Sequence, residues 1–403
     1  MVVNYTTDDL IEMERQYVAP TYKRPPFVLE HGDGVCLFDT QGKRYLDFVA
    51  GIAVNAFGSA DREIAEVIGE QAQVLGHVSN LYYSVPMLEL ARDLVASSFA
   101  DKVFYCNSGA EANEAAFKFA RRWALDRHGE GKSRIVAFTN AFHGRTMGAL
   151  AATPREKYQA PFRPLMPNVQ FATYNDLESA AAAIGDDVAA VIVEPVQGEG
   201  GIYVASQEFL AGLREICDRH NALLIYDEVQ CGLGRTGKLW AYEHFGVTPD
   251  MMTLAKPLGG GLPMGAVLAT NKVADALHPG DHGTTFGANP IICRAAQIVL
   301  KRINNPAFLQ HVAEVGAYLQ KGVESLDTPH IKEVRGMGLM VGVEMDIPAA
   351  PLIDEGYKHG LIFTSAGENV LRFVPPLILE TWHVDELLTG LKEIFDGVDA
   401  QGV

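Results

Sequence analysis

Two neighbouring stretches decide the reading: Leu223-Leu-Ile-Tyr-Asp-Glu-Val-Gln-Cys-Gly-Leu-Gly-Arg-Thr-Gly237 and Pro249-Asp-Met-Met-Thr-Leu-Ala-Lys-Pro-Leu-Gly-Gly-Gly261. The apolar run 223–226 is short and β-friendly, the kind that forms a buried strand of an α/β sheet. It ends on Asp227 and Glu228, and ligands bind at the carboxyl ends of such strands. A second apolar run, 251–254, leads to Lys256 and then to three glycines. Glycines let backbone approach a bound group closely, and a desolvated lysine is a competent amine nucleophile. An acid at one strand end and a lysine at the next suggest pyridoxal phosphate (PLP), with Lys256 as the Schiff-base lysine and Asp227 facing the pyridinium nitrogen. Each residue alone also has a bland reading, Asp227 as a turn cap and Lys256 as an exposed cation. The rest of the chain must decide.

A chain of 403 residues can bury a large core and form more than one domain. A hydrophobic content of 48% with 39 Gly and 20 Pro fits an α/β protein and excludes disordered and collagenous classes. The net charge of −17 argues against nucleic acid as a partner, because phosphate-backbone affinity needs clustered Lys and Arg. Cys36, Cys106, Cys217, Cys231 and Cys293 are scattered, with no C-x-x-C pair. That pattern favours a reducing compartment over a disulfide framework or a zinc site. The first 20 residues lack the apolar segment of a signal peptide, and no apolar run approaches the roughly 20 residues of a membrane span. The expectation is a cytoplasmic enzyme with no membrane partner.

Along the chain, an amphipathic piece (7–17) and a proline-rich arm precede a hairpin whose runs flank Thr40-Gln-Gly-Lys. Residues 61–76 and 87–98 are helical by period. From 103 to 254 strands and helices alternate: strands at 103–106, 135–139, 188–194 and 223–226, helices at 112–127 and 208–220. That alternation implies parallel strands with helices on both faces. A helix over 292–303 leads to a segment read as helix, strand (338–344), helix (351–359), short strands and a closing helix (384–398). The chain therefore divides into an arm and hairpin (1–60), a large cofactor-binding domain (61–305) and a smaller α+β domain (306–403).

Asn107-Ser-Gly-Ala-Glu-Ala-Asn opens a helix, and Ser108 with Glu111 has capping-box spacing. A helix N-terminus with a hydroxyl and free amides suits a phosphate, although the same motif also serves as a plain N-cap. Phe142-His-Gly-Arg145 supplies an aromatic to stack on a planar ring and an arginine to clamp a carboxylate, or simply a core Phe and a surface Arg. Glu199, among glycines, has no packing reason for its place, and Arg372 in Val370-Leu-Arg-Phe-Val needs an acid or a ligand carboxylate. Thr284-Thr-Phe-Gly-Ala-Asn-Pro offers two hydroxyls as anion contacts, or a turn. Gly232 to Lys238 matches P-loop spacing, but Leu239 stands where the magnesium-binding hydroxyl belongs. No G-x-G-x-x-G dinucleotide fingerprint appears, and the twelve histidines lack metal-ligand spacing.

Taken together, NSGAEANE, NAFHGRT, VEPVQGEGG, LLIYDEVQCGLGRTG, LAKPLGGG, GTTFGANP, VRGMGL and LRFVPP resemble the class III (ornithine-type) PLP-dependent aminotransferases, in family order. The resemblance implies PLP fold type I: a large domain with a mostly parallel seven-stranded sheet flanked by helices, plus a smaller α+β domain from the C-terminus and N-terminal arm. It implies that Lys256 carries the cofactor, Asp227 keeps its ring nitrogen protonated and Gln230 contacts its phenolic oxygen. Ser108, Gly109 and Ala110 would hold the phosphate, with Thr285 contributed across a homodimer, and Phe142 would stack on the ring. Arg372 would bind the α-carboxylate of glutamate or 2-oxoglutarate, with Glu199 neutralising it in turn, while Arg145 would hold the carboxylate of an N-acylated ornithine. The implied reaction moves the terminal amine of N-acetylornithine to 2-oxoglutarate by a ping-pong route. Succinylornithine, ornithine, 4-aminobutyrate or succinyl-diaminopimelate as amine donor, and a non-catalytic PLP-fold binding protein, stay open as alternatives. The run Asn55-Ala-Phe-Gly-Ser-Ala-Asp-Arg departs from the family's Gly-His-x-His-Pro-like segment, Pro257 replaces an alanine and Ala288 a glycine.

Overall fold

The computed structural model describes residues 5–401; the first four positions of the arm and the last two of the closing segment lie outside them. Seven strands form the central sheet: β1 (Lys102–Cys106), β2 (Arg134–Phe138), β3 (Val169–Ala172), β4 (Val188–Val193), β5 (Leu223–Asp227), β6 (Met251–Leu254) and β7 (Gly265–Ala269). Their order is β1-β7-β6-β5-β4-β2-β3. All run parallel except β7, which is antiparallel to both β1 and β6. The pattern read from sequence therefore holds.

Alternation along the strands explains the layering. On β5, Leu223 and Ile225 pack on one face with Ala115, Phe119 and Ala120 of the helix Gly109–His128. Leu224 and Tyr226 pack on the other face with Phe209, Leu213 and Cys217 of the helix Gln207–Arg219. Strands covered on both faces must be apolar at nearly every position. All five residues of β5 and all six of β4 are buried.

The helix predicted over 292–303 runs Pro290–Ile303, capped by Asn289 Oδ1, which accepts from the amides of Ile291 and Ile292. Beyond it, an antiparallel sheet of Ile331–Met337, Met340–Met345, Val370–Phe373 and Thr364–Ser365 carries Arg372. The predicted N-terminal hairpin is present as Cys36–Asp39 paired with Arg44–Asp47. Leu361–Ile362, from the far end of the chain, adds to it in parallel.

Among the strands that escaped the sequence reading are β3, β7 and Ile331–Met337. β3 is a four-residue strand at the sheet edge. Gly265-Ala-Val-Leu-Ala is rich in weak strand formers, and burial between two partners overrides that propensity. Ile331–Met337 carries Lys332, Glu333 and Arg335, which hide its apolar period.

β7 also sets the wall behind the helix turn at Ser108. Gly265 pairs with Cys106, and a Cβ at Gly265 would overlap the Ser108 carbonyl carbon and oxygen. Those atoms are backbone, so they do not give way cheaply. Gly265→Ala is expected to cost about 1–3 kcal/mol of stability through overpacking, read as a lower denaturation midpoint; an unchanged midpoint would show that this wall tolerates displacement.

Candidate active site

The carboxyl ends of five parallel strands deliver side chains to one cavity of about 460 Å³. β1 leads to Ser108 and Gly109, β2 to Phe142 and His143, β4 to Glu194, β5 to Asp227 and β6 to Lys256. Of the residues singled out from sequence, Ser108, Gly109, Ala110, Phe142, Arg145, Glu199, Asp227, Gln230 and Lys256 all line it. Arg372 reaches it by donating to Glu199 Oε1. Thr285 does not line it; that residue is exposed on the loop before the helix Pro290–Ile303.

Asp227 is buried and held by three groups. Oδ2 accepts from Asn113 Nδ2 at 2.8 Å and faces His143 Nδ1 at 2.7 Å, while Oδ1 accepts from the Val229 amide at 3.0 Å. Glu228 takes no part in the cavity. Successive strand side chains point to opposite faces, and Glu228 accepts from the amides of Ala241 and Tyr242 at 2.6 and 2.8 Å. Burial pushes its carboxyl up to about 8 against those hydrogen bonds.

Lys256 stands just past the end of β6 and has φ of 47°, an uncommon conformation for a non-glycine residue. Burial pushes its amine down to about 8; the Glu199 charge opposes that shift and the Arg372 charge adds to it. A lysine in that range is partly neutral near physiological pH and so nucleophilic.

Glu199 and Arg372 form an ion pair, with Gln230 Oε1 3.4 Å from the same guanidinium nitrogen. Burial alone raises the Glu199 carboxyl, but the charges of Arg372 and Lys256 outweigh it and hold the group below the usual carboxylate range. Arg145 is exposed and, among the described residues, pairs with no acid. Its guanidinium carbon lies 3.5 Å from the Tyr158 ring centroid and 5.6 Å from that of Phe142.

Three site residues were missed from sequence. His143 and Asn113 hold Asp227, and Glu194 accepts from the amides of Phe142 at 2.9 Å and Gly198 at 3.1 Å. Burial raises the Glu194 carboxyl to about 7. A polar signal for Asn113 was present: it shares a helix face with the buried Ala116, Phe117 and Ala120.

The donor set fits PLP. Ser108 Oγ accepts the Glu111 amide at 3.2 Å, so the first-turn amides of Gly109 and Ala110, which have no intrahelical acceptor, remain for a phosphate. A Cβ at Gly109 would strike Val229, which itself lines the cavity. Asp227 offers a fixed anion and Lys256 a depressed amine within the same chamber.

A parallel sheet presenting a strand-end aspartate, a buried lysine and a helix N-terminus to one cavity defines a PLP-dependent enzyme of amino-group chemistry. Residues 17–395 match the family described as aminotransferase class-III. The chain belongs to that family and is a PLP-dependent aminotransferase. It is 49% identical over 401 residues to the mitochondrial acetylornithine aminotransferase of Alnus glutinosa, covering 98% of this chain and 89% of that protein. It is 47% identical over 390 residues to acetylornithine aminotransferase of Methanocaldococcus jannaschii, covering 96% and 98%. Among solved structures, ornithine aminotransferase from Toxoplasma gondii ME49 superposes with a TM-score of 0.95 at 31% identity, over 99% of this chain and 97% of that one.

Only a neutral amine attacks a carbonyl. Covalent loading of cofactor-free protein should therefore accelerate about tenfold per pH unit below about 8 and level off above it. Stopped-flow loading rates across pH check this, and a midpoint near the ordinary lysine value would contradict a depressed amine.

Proposed function

We propose that this aminotransferase moves the terminal amine of N-acetylornithine to 2-oxoglutarate, giving N-acetylglutamate semialdehyde and glutamate. The observation that carries the reading is one cavity served by two arginines of opposite status, Arg372 neutralised by Glu199 and Arg145 paired with no acid among the described residues. The relatives named acetylornithine aminotransferase are 47–49% identical over nearly the whole of this chain, which favours the acylated donor.

When bound, PLP supplies an electron sink for the charge that develops at the substrate carbon. Ser108, Gly109 and Ala110 would hold its phosphate, Gln230 would meet its phenolic oxygen, Phe142 would stack on its ring and Asp227 would keep its ring nitrogen protonated. Lys256 would hold it covalently, and the freed Lys256 Nζ would be placed to move the proton at the amine-bearing carbon of the substrate. Arg145 receives the α-carboxylate of the acylated ornithine, which leaves the distal amine to reach the chemistry. Glu199 meanwhile occupies Arg372, so no anion site stands open near the neutral end of that donor. A dicarboxylate displaces Glu199 and takes Arg372 for its α-carboxylate. Two substrates then share one pocket in alternation, a ping-pong scheme.

A homodimer completes the reading. Leu81, Tyr82, Tyr83, Val85 and Leu88 are exposed, as is Phe286 beside Thr285. Asn80 ties the two segments by donating to the carbonyls of Thr284 and Gly287, both at 3.1 Å. An exposed apolar patch of this kind marks a protein interface, and Thr285, exposed beside it, would be offered to a second copy seated there. No helix among the described residues is long and apolar enough to cross a membrane, and we take the enzyme to be cytoplasmic.

The decisive assay follows loss of the cofactor's visible band with each amine donor in turn. N-acetylornithine and glutamate are expected to react rapidly, with free ornithine and 4-aminobutyrate at least about tenfold slower, the discrimination that about 1.4 kcal/mol of selective carboxylate and acyl contact supplies. Faster reaction with an unacylated ω-amine would overturn the substrate while leaving the chemistry.

A further inference from the structure

Arg145 and Glu199, which both line the cavity, share a support that none of the sequence motifs includes. The short helix Glu156–Gln159 and the residue before it supply Tyr158 and Arg155. The Arg145 guanidinium carbon lies 3.5 Å from the Tyr158 ring centroid, and that of Arg155 lies 5.6 Å from the same ring. Arg155 also donates to the backbone carbonyl of Glu199. Tyr158 itself does not line the cavity. It stands behind Arg145.

We propose that Tyr158 is a positioning residue for the amine donor: its ring face fixes the exposed Arg145 guanidinium so that the guanidinium edge meets the donor's carboxylate. The proposal rests on the role of Arg145 given above. A guanidinium is planar, with its N–H donors in the plane and its faces free to stack. An aromatic on one face therefore restrains the side chain without occupying any donor that a bidentate carboxylate needs. An acid in the same position would restrain it equally well but would block that edge.

The support is itself anchored. Gln159 Nε2 donates to the carbonyls of Leu150, Ala151 and Thr153 at 3.1, 3.3 and 2.9 Å. Thr153 Oγ1 accepts the His143 amide at 2.9 Å and donates to the Ala149 carbonyl at 3.0 Å. The segment bearing Arg145 and the helix bearing Tyr158 are thus stitched together through Thr153. The stack is a built feature and not a chance contact of two surface side chains.

The test compares Tyr158→Ala, Tyr158→Phe and Arg145→Ala in the PLP-loaded enzyme. KM for N-acetylornithine and KM for 2-oxoglutarate are measured separately, with kcat. Tyr158→Ala is expected to raise KM for N-acetylornithine about 3- to 10-fold, as loss of a cation–π restraint implies, with KM for 2-oxoglutarate and kcat changed less than about twofold. Tyr158→Phe, which keeps the ring face, is expected to restore the wild-type value. Equal increases for both substrates, or a Phe variant as impaired as the Ala one, would overturn the positioning role in favour of general support. If Arg145→Ala is selective for N-acetylornithine and Tyr158→Ala is silent, this inference fails alone. If Arg145→Ala is itself unselective, the role given to Arg145 has failed, and with it the ground for assigning Tyr158.

Discussion

A carboxylate buried at the end of a central strand is the constraint on which the site depends. Asp227 has almost no contact with solvent, and an anion in that position is costly unless donors replace its hydration. Its partners come from three separate segments: Asn113 from the helix after β1, His143 from the loop after β2, and the Val229 amide from the turn after β5. Satisfying one charge therefore fixes the relative positions of the helix Gly109–His128, the aromatic at Phe142 and the strand itself. Asn113 strengthens the link, since its Nδ2 also donates to the His143 carbonyl at 2.7 Å. His143 Nε2, at the far side of the ring, is buried with no hydrogen-bond partner among the described residues.

Glu194 performs the same kind of service one strand away. Its two oxygens accept amides from Phe142 and Gly198, so the aromatic of the cofactor face and the glycine loop bearing Glu199 hang from one carboxyl. Two acceptor oxygens meeting two N–H groups suit the ionised form. Burial pushes the group towards neutrality, and these opposed tendencies place a titratable carboxyl close to the chemistry.

Much of this was legible in the sequence, for reasons that also explain what was not. Lys256 and Asp227 stood out because a charged residue at the end of an apolar run, beside glycines, violates the ordinary pattern. Ser108 was visible from capping spacing. Asn113 and His143 meet Asp227 across 114 and 84 positions of sequence, and Glu194 meets Phe142 across 52. Local pattern carries no trace of such pairings. His143 stood within a recognised motif, yet its neighbours Phe142 and Arg145 offered clearer chemistry. β7 was hidden for a different reason: Gly265 and its alanines are selected by close approach to Ser108 and by burial, not by strand propensity.

On the proposed reading, the two arginines would let one pocket hold two unlike carboxylates. Arg372 is buried and costly to leave unpaired. Its restraint is an acid, so a ligand carboxylate gains that site only by exchange with Glu199, one anion for another at little net change in charge. Arg145 is exposed and its restraint is an aromatic face; solvent already stabilises its charge, and a ligand carboxylate displaces no protein anion. The first arrangement opens only to a ligand that replaces what it removes. The second is always open. On that reading, specificity between a dicarboxylate and an acylated amine donor would follow from what each arginine must give up to bind, more than from what it touches afterwards.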